Sequence, residues 1–255
     1  MTPVTFTVTA TGLNPSSTYT YQLQVPSVNG PATQPTTDSV TTIGAPSKVV
    51  VTSSPPASAV AGANFSAAVS VEDASGNVVT DFAGTVSLAL TVPNGAALSG
   101  GSSRSAVNGV ASFTSLSVDK KGSYTLTAMS SSLTSDVSTS ITIQAGTPSQ
   151  LVFATQPSSA AAPGVAFASQ PVVSVEDSLG NVVDTDSTTG VTLGLMGGDS
   201  TAALTCTSAP ATVTNGVATF GGCSIDKGSP TTYQLTVAST SPTLGPVSST
   251  QVTVS

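Results

Sequence analysis

A stretch of nine residues occurs twice in the chain and limits its fold more than any other feature. Val71–Val79 reads VEDASGNVV, and 104 positions later Val175–Val183 reads VEDSLGNVV. A second stretch, Asn108–Phe113, returns after 107 positions as Asn215–Phe220. Solenoids and propellers repeat every 20 to 50 residues or so. Because the period here is about 100 residues, the repeated unit is a whole domain rather than one turn of a solenoid.

Shorter matches extend the repeat toward both of its ends. The matched pairs are Pro46 with Pro148, Ser117–Lys120 with Ser224–Lys227, and Tyr124–Thr127 with Tyr233–Thr236. The offset grows from 102 to 109 along the unit, as expected when one fold acquires small loop insertions. A unit of about 100 residues has the size of a β-sandwich.

Hydrophobic residues alternate with polar ones inside each repeat. Phe65, Ala67, Val69 and Val71 are spaced to face one side of a strand, and no stretch shows a helical period. The Asp-x-x-Gly-Asn segment that follows predicts a turn, since Gly accepts a positive φ and Asp and Asn bond to nearby backbone. Aromatic residues make up only 4% of a chain rich in Ser, Thr and Val. We therefore predict an all-β protein with about seven strands in each repeat.

Two short segments that contain proline separate the predicted domains. They are Ile43–Pro46 and Ala145–Pro148. We expect a partial domain at residues 1–44, a first repeat at 45–146 and a second repeat at 147–255. Because short linkers with proline are stiff, the sandwiches are expected to form an extended array.

The motifs of residues 45–255 resemble a known family. Asp-x-x-Gly-Asn-x-Val, Asn-Gly-Val-Ala-x-Phe and Asp-Lys followed by Tyr-x-Leu-Thr are similar to the tandem bacterial immunoglobulin-like repeats of surface proteins of the invasin and intimin type. The resemblance implies tandem immunoglobulin-like β-sandwiches at an extracellular or cell-surface location. Such repeats serve mostly as spacers, so the resemblance implies a fold more strongly than a ligand.

Residues 1–44 resemble a different domain, the C-terminal half of a fibronectin type III sandwich. Leu13–Tyr19 follows that family's tyrosine corner, Leu-x-Pro-x-x-x-Tyr. Strands E, F and G would then be Val4–Val8, Tyr19–Val25 and Ser39–Ile43, with strands A to C and their Trp missing. Either the chain begins inside a domain, or another subunit completes this half-domain by head-to-tail self-association through residues 1–44.

Charge and residue types exclude several classes of function. Five Lys and Arg stand against twelve Asp and Glu, for a net charge of −7, and there is no His. Binding to nucleic acid needs a cationic face, which five scattered basic residues cannot form. No apolar run is long enough to predict a membrane-spanning helix, and no signal peptide is apparent after Met1. Without His, catalytic triads and histidine–metal sites are excluded, and we predict no catalytic residue, no cofactor and no metal.

Cys206 and Cys223 are the only cysteines of the chain. In the first repeat the matching positions hold Gly100 and Leu116, so both cysteines are replaced together, as expected for a bridge that is gained or lost as a unit. We predict a Cys206–Cys223 disulfide; two buried free thiols are the alternative. A disulfide implies an oxidising compartment outside the cytoplasm.

Several acidic residues are candidates for a metal site or a catalytic pair, and turn or strand structure explains each of them better. Carboxylates in turns can bind Ca²⁺, but the dense Asp-x-Asp-x-Asp-Gly loop of calcium sites is missing, so turn formation is favoured. The carboxylates concerned are Asp73, Asp81, Asp177, Asp184 and Asp186. Glu72–Asp73 and Glu176–Asp177 could suggest a glycosidase pair, yet neighbouring strand residues point to opposite faces.

Two further motifs also have ordinary interpretations. Lys48 lies where some surface domains form isopeptide bonds, but the second repeat has Gln150 there. Asn64–Ser66 is a glycosylation sequon that we interpret as a chance match.

The preferred interpretation is a non-enzymatic stalk segment of a secreted or surface-anchored bacterial protein, in an adhesin or an extracellular filament. Its partners would be other domains of the same long protein. The alternatives are an accessory module of a secreted polysaccharide-degrading enzyme and a phage virion protein. Sugar binding usually requires exposed aromatic residues, and a chain with no Trp and four Tyr does not predict such a platform.

Overall fold

The computed structural model describes residues 7, 9–15, 17–23, 36–209, 212–228 and 231–255. Two strands precede the repeats, β1 (Thr18–Leu23) and β2 (Thr36–Thr41), and they pair as an antiparallel sheet. The backbone N–H of Asn14 donates to Tyr19 Oη at 2.8 Å, the contact expected of the predicted tyrosine corner. The second strand ends at Thr41 instead of Ile43. The predicted strand Val4–Val8 and the end of the predicted strand at Val25 lie outside the described residues.

The first repeat folds into strands along almost its whole length. They are β3 (Lys48–Ser53), β4 (Ser58–Val60), β5 (Phe65–Glu72), β6 (Thr85–Leu90), β7 (Leu98–Ser99), β8 (Ser103–Ser105), β9 (Val110–Val118), β10 (Gly122–Tyr124), β11 (Leu126–Met129), β12 (Asp136–Val137) and β13 (Ile141–Gln144). The sheets have the orders β3-β5-β9-β7, β12-β11-β6-β8 and β10-β13-β4. The short strand β4 runs parallel to the last strand, β13.

The second repeat has the same plan with longer strands at its end. Its strands are β14 (Gln150–Thr155), β15 (Ala160–Ala161), β16 (Val172–Glu176), β17 (Thr192–Gly197), β18 (Leu204–Thr205), β19 (Val217–Thr219), β20 (Ser224–Ile225), β21 (Thr231–Thr240) and β22 (Thr243–Val254). The sheets are β14-β16-β19, β15-β22-β21-β17 and β18-β20. As in the first repeat, an early short strand, β15, runs parallel to the last strand, β22.

The strands confirm the predicted all-β immunoglobulin-like class. The described residues contain no helix, and hence none that could cross a membrane. The chain forms two compact units. The first comprises Met1–Ala57, Asn64–Ser117 and Ser123–Ile141, and the second comprises Ser58–Ala63, Val118–Gly122 and Thr142–Ser255. Strand β4, the turn Val118–Gly122 and β13 from Thr142 onward therefore belong to the second unit although the sequence places them in the first repeat, and the domain boundaries expected from the sequence stay predictions.

Alternation along the strands builds the core of each unit. Phe65, Ala67, Val69 and Val71 are all buried, as their spacing predicts. In β9 Ala111 and Phe113 are buried in regular alternation, and a register irregularity opposite Phe65 and Ala67 inserts one extra residue before the buried Leu116. In the second unit the buried cluster includes Phe153, Phe167, Val173, Val175, Phe220, Tyr233, Leu235 and Val252.

Candidate functional site

The Asp-x-x-Gly-Asn loop of the first repeat is organised around one buried carboxylate. Asp73 is fully buried, and its Oδ1 accepts the backbone N–H groups of Ser75 and Asn77, each at 2.9 Å. Its Oδ2 accepts the Asn77 side-chain amide at 3.0 Å and, from outside the loop, the N–H of Gly44 at 2.8 Å. Donation from Gly44, followed by that from Asn77, holds the pKa of Asp73 far below its ordinary value. The carboxylate thus ties the loop to the linker that enters the sandwich.

The second repeat reproduces this network atom by atom. Oδ1 of Asp177 accepts the N–H groups of Leu179 and Asn181 at 2.9 Å, and Oδ2 accepts the N–H of Gly146 at 2.8 Å. Burial acts to raise the pKa of Asp177, but donation from Gly146, Asn181 and Leu179 outweighs it and the pKa lies below its ordinary value. The same carboxylate therefore anchors the same linker glycine in both repeats.

Sequence reasoning identified the loop as a turn but missed its bond to the linker. The bond spans 29 residues in the first repeat and 31 in the second. A signal was present: Gly44 and Gly146 each lie two residues before the matched prolines Pro46 and Pro148.

Most of the carboxylates considered as calcium ligands already accept hydrogen bonds from protein groups. The oxygens of Asp73 and Asp177 accept N–H groups, and Asp186 accepts the backbone N–H and hydroxyl groups of Thr188 and Thr189. Asp81 is exposed. Within the described residues no group of three or more His, Cys, Asp or Glu side chains could hold a metal ion.

Asn181 connects its loop to a turn that precedes it in the chain. Its Nδ2 donates to the carbonyl of Asp119 at 2.9 Å, and its Oδ1 accepts the N–H of Lys121 at 2.9 Å. The turn Val118–Gly122 and the Asn181 loop both belong to the second compact unit. The Asn181 carboxamide thus bonds a carbonyl and an N–H that lie two residues apart. Only a side chain that both donates and accepts hydrogen bonds can do this.

Lys121 strengthens this contact with its side chain. Its Nζ lies 3.0 Å from Oδ2 of Asp184 and donates to the carbonyl of Val182 at 3.2 Å. Donation from Lys121 holds the pKa of Asp184 below its ordinary value. Asp184 is therefore the ion-pair partner of Lys121 and not an unpaired carboxylate.

The remaining acidic candidates have simple structural roles. Glu72 accepts the hydroxyl of Ser70 at 2.8 Å and forms an ion pair with Lys48 at 3.5 Å. Glu176 accepts from Ser174 at 2.8 Å and from the amide of Gln150 at 3.4 Å. Both repeats thus have a side-chain contact from the Glu to the neighbouring strand, with Lys48 as the donor in the first repeat and Gln150 in the second.

The cysteines are bonded to each other in the structure. Sγ of Cys206 and Sγ of Cys223 are 2.10 Å apart, and the bond spans 17 residues. Cys223 is fully buried. In the first repeat the backbone of Gly100 lies beside that of Ser115 and Leu116, where a Cβ on Gly100 would approach the Cα of Leu116 to 3.1 Å. The residues that replace the cysteines are therefore also neighbours.

The described tyrosines do not form a flat exposed surface. Tyr124 and Tyr233, which match in the repeats, are buried. Tyr19 belongs to the tyrosine corner, and Tyr21 is 52% exposed and donates to Asp38. Asn64 of the glycosylation sequon is exposed and immediately precedes β5.

No protein-family model matches the sequence, and no curated protein resembles it at a significant level. Three solved structures similar to the chain are the Escherichia coli adhesin FdeC, the Yersinia pseudotuberculosis adhesin InvE and invasin, described as a bacterial integrin-binding protein. Identity to FdeC is 19%, over 94% of this chain and 75% of that one, with a TM-score of 0.39.

The other two likenesses cover smaller parts of longer chains. InvE is 18% identical over 81% of this chain and 58% of its own, with a TM-score of 0.34. Invasin is 13% identical over 87% of this chain and 43% of its own, also with a TM-score of 0.34. The chain therefore spans less than two thirds of either.

Proposed function

We propose that the chain is a non-enzymatic structural segment, a spacer of a secreted or cell-surface protein. The observation that carries the proposal is the linker anchor, Gly44 to Asp73 and Gly146 to Asp177, which recurs with the same 2.8 Å bond. A spacer has to hold its chain firmly where it enters each domain. A buried carboxylate with several N–H donors does so through charge-assisted hydrogen bonds.

A backbone hydrogen bond lies next to each linker anchor. The N–H of Ser47 donates to the carbonyl of Glu72, and the N–H of Ser149 donates to that of Glu176, each at 2.8 Å. Each linker is thus held by two neighbouring residues at the end of a later strand, by the backbone carbonyl of the Glu and by the side chain of the Asp that follows it. Tension on the chain would load these bonds before it reaches the core.

The disulfide supports a location outside the cytoplasm. Stable Cys–Cys bonds form in oxidising compartments, and cytosolic thiols are kept reduced. The secreted or surface location expected from the sequence rests on this bond and on the invasin-like motifs of the repeats.

Pulling the chain from its two ends tests the spacer role. Asp73→Ala removes the linker anchor of the first unit and should lower its unfolding force, whereas Asp81→Ala changes an exposed carboxylate and should not. Equal unfolding forces for the two variants would reject the role of the anchor. Binding to insoluble cellulose, xylan or chitin would instead favour the accessory-module alternative.

A further inference from the structure

The Asn181 loop covers a small surface made by two other segments of the second unit. This surface, called here the Gly62 surface, consists of Gly62, the carbonyl of Asp119 and the N–H of Lys121. Cδ1 of Leu179 lies 3.0 Å from the place that a Cβ on Gly62 would take. Asn181, which is buried, bonds the other two groups at 2.9 Å. The loop therefore contributes one apolar side chain and one carboxamide.

The second repeat contains the same surface at the matching positions. Gly164 takes the place of Gly62, and its N–H donates to the carbonyl of Ile225 at 2.8 Å, as that of Gly62 donates to Val118 at 2.8 Å. The two glycines have φ angles of 70° and 77°. The Ser-Ile-Asp-Lys sequence of residues 224–227 repeats Ser-Val-Asp-Lys of residues 117–120.

This Gly164 surface consists of Gly164, the carbonyl of Asp226 and the N–H of Gly228. No heavy atom lies within 4 Å of a Cβ built on Gly164, which is exposed. Among the described residues, neither the Asp226 carbonyl nor the Gly228 N–H has a hydrogen-bond partner. The three groups that the Asn181 loop covers in the first repeat thus have no such covering loop among the described residues of the second, where Gly164 and Asp226 are exposed and Gly228 is half-buried.

We propose that the Gly164 surface docks the Asp-x-x-Gly-Asn loop of a further β-sandwich of the same kind. An Asn side chain would bond the Asp226 carbonyl and the Gly228 N–H together, as Asn181 does on the Gly62 surface. An apolar side chain two residues earlier would lie over Gly164.

The charges around the Gly164 surface also restrict which residues the partner loop needs. Gly228 stands where the Gly62 surface has Lys121, so the ammonium that pairs with Asp184 is missing there. Lys227 does not replace it, because its Nζ donates to Thr201 at 2.8 Å. The partner therefore needs no acidic residue at the position of Asp184.

The loop does not have to refold in order to dock. Asn77 is held by Asp73 in the same network as Asn181, although among the described residues its side-chain oxygen accepts no hydrogen bond. The bonding within the loop is thus the same whether or not its Asn contacts another segment. A preformed loop loses little conformational entropy on binding, and a short linker supplies a high effective concentration.

The test lengthens the chain by a second copy of residues 145–255 placed after Ser255. Hydrogen exchange of the Gly228 amide, followed by NMR, should slow about five-fold or more on gaining a buried hydrogen bond. A control carries Leu179→Ser and Asn181→Ala in the added copy only; Ser is the residue of the first repeat at that place. In the control the Gly228 amide should exchange as in the original chain.

Two results would overturn the proposal. One is a folded added copy, shown by slow amides of its own core, with unchanged exchange at Gly228. The other is equal slowing in the control. A second extension with residues 44–144 carrying Ser75→Leu presents the Asn77 loop with an apolar side chain at the place of Leu179 and should also protect Gly228, which keeps the test decisive if the first extension folds poorly.

Discussion

The backbone N–H of Gly146 lies 2.8 Å from Oδ2 of Asp177, a carboxylate that is 2% exposed and 31 residues further along the chain. Because this and the neighbouring donors bind the ionised form, the pKa of Asp177 is lower in the folded chain than in the unfolded one. The ionised carboxylate therefore stabilises the fold at neutral pH.

This lowered pKa predicts an acid-dependent loss of stability. The contribution is complete above the ordinary Asp pKa of about 4 and disappears as the pH falls through the lower pKa of the folded state. Urea titrations of the second unit between pH 7 and pH 2 should show stability falling below about pH 4. Asp177→Asn should lower stability at pH 7 and flatten the pH dependence. An equally steep profile in that variant would contradict the assignment.

Two glycines of the first repeat provide a matched test of close backbone packing. Gly109 and Gly95 have φ angles of 75° and 79°, so alanine is strained similarly at both, by about 1–2 kcal/mol. A Cβ on Gly109 would meet the carbonyl oxygen of Val79 at 2.5 Å, whereas one on Gly95 meets nothing within 4 Å. Gly109→Ala should therefore cost at least about 2 kcal/mol more than Gly95→Ala, in the range of steric core defects. Chemical denaturation measures both, and equal losses would argue against the packing.

The Cys206–Cys223 bond should stabilise the second unit selectively. A closed loop of this size contributes about 3 kcal/mol through the unfolded state. The double variant with Cys206→Gly and Cys223→Leu copies the first repeat, so it removes the cross-link while keeping residues that already fit this position. It should unfold more easily than the oxidised chain, with the first unit unchanged.

Single-molecule extension gives the disulfide an independent readout. The bond hides 17 residues, so reduction should lengthen the unfolded second unit by about 60 Å. Mass spectrometry that finds both thiols free in non-reducing conditions would reject the bond.

The sequence predicted the strands and turns well because their determinants are local. Alternation placed Phe65 to Val71 in the core, and Gly76 and Gly180 of the predicted Asp-x-x-Gly-Asn turns have positive φ angles of 88° and 77°. What sequence reasoning missed depends on residues distant in the chain. Asn181 reads as a turn residue, and nothing local indicates that its amide contacts Asp119 and Lys121, about 60 residues earlier.

The irregularity in β9 was also beyond sequence reasoning. Phe113 and Leu116 are both buried although they lie three positions apart, so one extra residue interrupts the alternation between them. A register shift is decided by pairing with β5, and the one-dimensional pattern of β9 allows both phases.

The last prediction concerns residues 1–44 and the head-to-tail association expected as one of two alternatives. Among the described residues β1 and β2 pair only with each other, and the side chains of Tyr21 on β1 and Val40 on β2 are about half exposed. Removing residues 1–42 keeps the Gly44 N–H that binds Asp73, so the first unit should stay folded. If the half-domain serves only its own chain, sedimentation should show the same molar mass before and after truncation across a wide concentration range. That is the outcome we expect, because a two-stranded sheet has little apolar area to bury. A full-length chain whose mass rises with concentration, together with a truncated chain that stays monomeric, would instead establish strand exchange through this segment.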